Sequence, residues 1–343
     1  MEVSDVSSTA APEPETILEP ELPILDAHHH LWNRSSHGAG QYLLDDLRAD
    51  TGSGHNVVRT VFVECHAEYR REGPAHLRPV GEVEFVAAIA EASAQRAAAE
   101  GGAEIGAIVG NADLALGDAV AEVLEAEAEA GQGRFRGVRH NTAFDPNPMG
   151  NNSARAGMMG EETFRAGVRR LGAMGFSYDA MCFHHQLSEL ADLARACPDV
   201  TIVANHFGIP IAGGPYRGKA DEVRAVWQAG IADLAAAPNV VMKLGALIRP
   251  LTGDRWDKRG RTASSAEVVE AWGPEVRYCL DAFGPSRCLF ESNFPVDKPC
   301  VGYVALWNAF KLLAAGCSAD EKRDLFHDTA ARAYRLPTLA EAG

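Results

Sequence analysis

Short apolar, β-branched runs recur along this chain, separated by longer stretches rich in Ala, Glu and Leu. The runs fall at about 22–28, 57–66, 105–114, 135–141, 175–183, 201–206, 240–244 and 288–293. They are too apolar for strands with one wet face and read as strands buried on both sides. Between them the pattern predicts helices at about 81–100, 116–131, 161–173, 187–197, 221–237 and 265–283, with two closing helices at 302–315 and 319–335. Strands alternating with helices imply βαβ units and a parallel sheet. Eight such units in roughly 310 residues predict an α/β fold, a (β/α)8 TIM-type barrel. The rival, a doubly wound sheet, lacks a GxGxxG after the first strand. Residues 1–20, acidic and proline-rich, read as a disordered tail, residues 21–338 as one barrel domain, and 339–343 as a C-terminal tail.

Polar residues gather at the strand ends. His28 and His30, Glu64 and His66, Asn111 and Asp113, Arg139 and His140, His184 and His185, Asn205 and His206, Lys243, and Glu291 and Asn293 all lie there. In a barrel those ends converge on one mouth, where active sites are built. Composition narrows the chemistry. The 343 residues carry a formal charge of -15, which argues against nucleic acid and against anionic membrane surfaces. No apolar run is long enough to span a bilayer. Seven cysteines without a CxxC pair suit reduced thiols in a cytoplasmic protein. The expected partner is a small-molecule substrate.

The first strand ends Asp26-Ala27-His28-His29-His30. Alternation puts His28 and His30 on one face and His29 on the other, so the pair can share a metal ion or grip a substrate, with Asp26 behind it. His206 ends the sixth strand before Gly208 and Pro210, where it can ligate a metal or move a proton. His184 and His185 end the fifth strand; one of them, taken as His184, faces the mouth. Glu64 sits in a very apolar strand, so it is either functional or paired with Arg139 or Lys243. Arg139 shares a face with Gly137 and suits a carboxylate or an oxyanion, or else a strand-end salt bridge. At the eighth strand Asn293 stands where a hydrolase needs a base, and an amide cannot be one; the acids nearby are Glu291, on the same face, and Asp297.

Together, Asp26-Ala-His28-His29-His30-Leu-Trp32, Arg136-Gly-Val-Arg139-His140, Asn205-His206-Phe-Gly208-Ile-Pro210 and Ser292-Asn293-Phe-Pro295-Val296 resemble the amidohydrolase superfamily. The likeness is to the amidohydrolase-related branch that holds sugar-acid lactonases and 2-pyrone-4,6-dicarboxylate lactonase, and it spans about residues 22–337. It implies a distorted barrel in which His28 and His30 bind a divalent metal, zinc or manganese, where one is present. His184 completes that site, with no organic cofactor. It implies that Arg139 holds a substrate carboxylate or carbonyl and that His206 acts on substrate or metal. The branch usually reads Asp-Trp-Pro where this chain has Asn293-Phe294-Pro295. The expected reaction is hydrolysis of a lactone of a small carboxylated or sugar acid, with His206, Glu64 or Asp297 supplying base catalysis. The alternatives are metal-dependent nonoxidative decarboxylation of an aromatic or unsaturated acid, and ligand binding without turnover. The loop at 149–159 is a lid candidate, and Trp32, Tyr42, Trp256 and Phe294 are candidates for pocket wall or core. Barrels of this type often pair, so a homodimer is one assembly the resemblance allows.

Overall fold

In the computed structural model the described residues are 14–33, 40–147, 154–247 and 256–342. The strands are β1 (Ile24–His29), β2 (Val57–Val63), β3 (Glu104–Gly110), β4 (Phe135–Asn141), β5 (Ser177–Met181), β6 (Ile202–Ala204), β7 (Val240–Leu244) and β8 (Cys288–Phe290). All seven consecutive pairs are parallel, in the order β1 to β8. The seam between first and last is closed just past β8: Asn293 N–H donates to His28 O at 2.9 Å and His30 N–H to Phe294 O at 2.8 Å. Asp26 stitches the same seam. Its carboxylate accepts Ser292 N–H at 2.8 Å and the Tyr303 hydroxyl at 2.9 Å, so it serves the backbone rather than a histidine ring. The fold is a (β/α)8 barrel.

Helix α1 (Leu44–Thr51) has no predicted counterpart, whereas α2 (Val80–Glu100), α3 (Ala121–Ala130), α4 (Glu162–Ala173), α5 (Leu187–Ala196), α6 (Ala220–Ala235), α7 (Ser265–Phe283) and α8 (Tyr303–Leu313) follow the predicted stretches. The largest core lies between strands and helices, and includes Phe164, Tyr178, Trp227 and Phe290. A second core fills the barrel interior. Leu25, Ala27, Val61, Val63, Ala107, Val109, Val203 and Leu289 meet Ala330, Ala331, Ala333, Tyr334 and Leu336 there. The segment after α8 thus plugs the end where the strands begin and leaves the other end to the polar residues.

Three boundaries differ from the sequence reading. From residue 14 the supposed tail is bound: Glu15 accepts Ser265 N–H at 2.7 Å, and Lys311 Nζ donates to Leu18 O and Glu19 O at 2.7 and 2.9 Å. Proline and acid content suggested disorder, but the backbone carbonyls here find buried donors on α8. At the other end Leu339–Ala342 form a helical turn, and Leu339 N–H reaches Asp328 at 3.0 Å. The second strand stops at Val63, and His66 beyond it is exposed, at φ +63°. Residues 148–153, most of the lid candidate's first half, lie outside the described residues. Trp32, Tyr42, Trp256 and Phe294 are all core.

Candidate active site

The first strand does not alternate strictly. Leu25 and Ala27 face the inner core, and simple alternation would send His29 after them. A register shift between Asp26 and His29 breaks the phase. His28 and His30 turn inward, while His29 turns out to Thr60 and the Phe62 ring. The two inward rings meet edge to face with their Nε2 atoms 3.2 Å apart. His30 is oriented by Nδ1 against Val63 O at 2.8 Å.

Around His28 the other strand ends converge. Glu291 bridges two histidines: Oε1 meets His206 Nδ1 at 2.6 Å and Oε2 lies 2.8 Å from His28 Nδ1. Glu291 owes its place to Gly245, where a Cβ would fall 2.2 Å from the glutamate Cγ. Arg139 comes from β4, with Nη1 3.4 Å from His28 Nε2. Its Nε pairs with Glu64 Oε1 at 2.7 Å, and its Nη2 donates to the Glu64 carbonyl. Lys243 comes from β7, fully buried, 3.4 Å from His28 Nδ1 and 2.8 Å from Asp179 Oδ1. That same Asp179 oxygen also accepts the Asn205 amide at 3.0 Å and the Tyr334 hydroxyl at 2.9 Å. Tyr334 thereby reaches up from the plug to the floor of the site.

The electrostatics follow from burial. His28 is held well below the ordinary imidazole range by desolvation and then by the nearby Lys243 charge; His30 is lowered by desolvation and then by Arg139. Desolvation works against the Arg139 charge, but Glu64 outweighs it and the guanidinium is held above its usual value. With neutral histidines, the three carboxylates Glu64, Asp179 and Glu291 exceed the two cations Arg139 and Lys243 by one charge.

That environment fits a divalent ion. Metal binding needs deprotonated ligands, here neutral imidazoles and a carboxylate. Two nitrogens bound to one tetrahedral zinc stand about 3.3 Å apart, close to the His28–His30 spacing. Glu291 Oε2 is buried and accepts no hydrogen bond, because the 2.8 Å approach of His28 lacks the alignment of one. Among the described residues, His28, His206 and Glu291 form the set whose ligand atoms lie within 4.8 Å of one another. His28 belongs to both groupings, through Nε2 with His30 and on its Nδ1 side with His206 and Glu291.

Two expected site residues lie elsewhere. His184 is not in the cluster. The chain enters a short 3-10 turn at His184, and the ring packs edge-on to Tyr216 while Ile211 N–H approaches its Nδ1 at 3.4 Å. Burial, helped by the neighbouring His185, lowers it to about 4. Asp297 lies behind Asn293, where Oδ1 accepts the Asn293 amide at 2.9 Å and Oδ2 accepts Leu247 N–H at 2.6 Å. Burial pushes its carboxyl up while the two N–H donors favour its anion, and its place behind the amide keeps it from acting as an open base. Glu291, and not Asp297, is the carboxylate in contact with His206 and His28. Asp179 and Tyr334, which the sequence reading did not single out, join Lys243 and Asn205 beneath the histidines. For Asp179 the available signal was the one that marked Glu64, a charge inside an apolar strand.

A family model, Amidohydrolase, matches residues 25–336. The chain belongs to the amidohydrolase family. This amidohydrolase is 30% identical to y4mH, an uncharacterized protein of Sinorhizobium fredii, over 92% of its own length and 99% of that protein's. It is 32% identical to an L-fucono-1,5-lactonase of Burkholderia multivorans, over 70% of its length and 75% of the relative's. Among solved structures, a Burkholderia multivorans amidohydrolase with bound zinc superposes with a TM-score of 0.69 at 27% identity, covering 92% of this chain and 99% of that one. The amidohydrolase is accordingly a hydrolase of this family, and a divalent metal suits its site. Among its described residues no helix is long and apolar enough to cross a membrane.

Proposed function

We propose that this amidohydrolase opens a lactone of a small sugar acid or carboxylated acid by attack of water at the barrel mouth. The observation that supports this best is the 2.6 Å contact between His206 and Glu291. A carboxylate on Nδ1 keeps the proton there and leaves Nε2 as the basic nitrogen. His206 is slightly exposed, and among the described residues its Nε2 has no hydrogen-bond partner. In the proposed reaction His206 Nε2 takes a proton from water as the oxygen attacks the lactone carbonyl. Arg139, held by Glu64, faces the negative charge that develops on the carbonyl oxygen. As the ring C–O bond breaks, the imidazolium returns its proton to the departing alkoxide, giving a hydroxy acid. A divalent ion held by His28 with His30 would lower the pKa of bound water toward neutrality. The lactonase name of the Burkholderia relative points the same way.

The test is proton release from a panel of sugar-acid and carboxylated lactones by the metal-replete protein, alongside elemental analysis of wild type and His28→Ala. Turnover, with stoichiometric metal that is lost in the variant, is the expected result. An inert metal-replete protein, or carbon dioxide released from hydroxybenzoates instead, would overturn the reading.

A further inference from the structure

Asn293 reaches the mouth from the segment after β8, and its amide is fixed from behind. The backbone N–H is tied to His28 O, which seats the residue beside the first-strand histidines. The side-chain Nδ2 donates to Asp297 Oδ1. Asp297 is fully buried and its second oxygen is taken by Leu247 N–H, so one N–H faces each oxygen and the carboxyl has no freedom to turn. The nitrogen end of the amide is therefore committed to the wall. The oxygen end is not: among the described residues Oδ1 accepts no hydrogen bond, and it is not among the buried atoms sealed from solvent. A carbonyl oxygen only accepts. On a residue only 4 % exposed it favours a donor and disfavours a ligand that brings another acceptor or nothing polar.

We infer that Asn293 determines specificity by accepting a hydrogen bond from a substrate hydroxyl, with Asp297 as the positioning residue that holds the amide. The inference rests on the lactone reading and narrows it. The substrate class is a polyhydroxylated lactone, rather than one decorated only with carboxylates, which at neutral pH offer no donor.

The experiment compares kcat/KM for a hydroxylated δ-lactone and for δ-valerolactone, the same ring without hydroxyls. The proteins are wild type, Asn293→Gly, Asp297→Ala and Asp297→Asn. Glycine is chosen because Asn293 has φ +54°, a conformation glycine adopts freely. Asp297→Asn keeps one acceptor oxygen if the alanine variant does not fold. Wild type should prefer the hydroxylated ring by about tenfold to a hundredfold. Asn293→Gly should bring the ratio to within about threefold. The Asp297 variants should fall between, mainly through KM. Equal losses on both substrates in Asn293→Gly would overturn the inference, because the residue would then serve the reaction common to both. So would a preference for keto or alkoxy rings that vanishes in Asn293→Gly, which would mean that the amide presents its nitrogen. If wild type hydrolyses neither lactone, the lactonase reading fails. Asn293 is then decided by calorimetric binding of a hydroxylated δ-lactam against plain δ-valerolactam, where equal affinities in wild type overturn the assignment.

Discussion

Replacing Lys243 with methionine tests the floor of the site. The ammonium and Asp179 are both fully buried, 2.8 Å apart. Removing one partner of such a pair typically costs about 3–5 kcal/mol, because the other charge stays buried. Asp179 would keep two neutral donors, the Asn205 amide and the Tyr334 hydroxyl, which places Lys243→Met near the lower figure, about 3 kcal/mol. Asp179→Asn strands a buried ammonium whose one other neighbouring acceptor is His28 Nδ1 at 3.4 Å, so it belongs nearer about 5 kcal/mol. At about 2.1 cal/mol/K per residue, a chain of this size unfolds with an entropy of roughly 0.7 kcal/mol/K, so these losses correspond to about 4 and 7 °C in Tm. The double variant Lys243→Met/Asp179→Asn removes both charges and should cost at least about 2 kcal/mol less than the two single losses together. Calorimetric melting of the four proteins, with rescans to check reversibility, measures that coupling. Additive losses would show that the two groups do not depend on each other and would refute the electrostatic account of the floor.

Other expectations follow from the same geometry. His206→Ala should lower kcat by about a hundredfold to ten-thousandfold, and it also costs stability because the buried Glu291 loses its partner; a rate within threefold of wild type would remove His206 from the mechanism. Gly245→Ala places a methyl 2.2 Å from the Glu291 side chain, so it should depress kcat much as Glu291→Ala does, and a fully active variant would show that Glu291 need not sit where it does.

Much of this was legible in the sequence because buried parallel strands are written as apolar runs. Those runs located the eight strands and, with them, the ends where His28, His30, Glu64, Arg139 and His206 stand. Local alternation was enough to set His28 and His30 apart from His29, and it put Arg139 on the face opposite Val138 and His140 without saying which face is inner. It fails wherever the backbone leaves the strand. His184 begins a 3-10 turn, so the parity of β5 no longer governs its ring. Asp297 is four residues past Asn293 but turned behind it, which left the histidines to Glu291. Contacts such as Tyr334 to Asp179, 155 residues apart, have no local signature at all. They arise because the inner end of the barrel needs filling, and the residues that fill it are fixed only when the strands have closed.

The Tyr334 plug has a consequence for how the enzyme comes to be made. Its hydroxyl is one of three donors on Asp179, and Asp179 holds the lysine under His28. Tyr334 follows all eight strands in the chain. A growing polypeptide can therefore emerge from the ribosome with every strand complete and every mouth residue present, and still lack the support beneath its histidines. Competence would then wait for the segment that carries Tyr334, and a nick just ahead of that residue would loosen one of the three donors on Asp179 without touching the mouth.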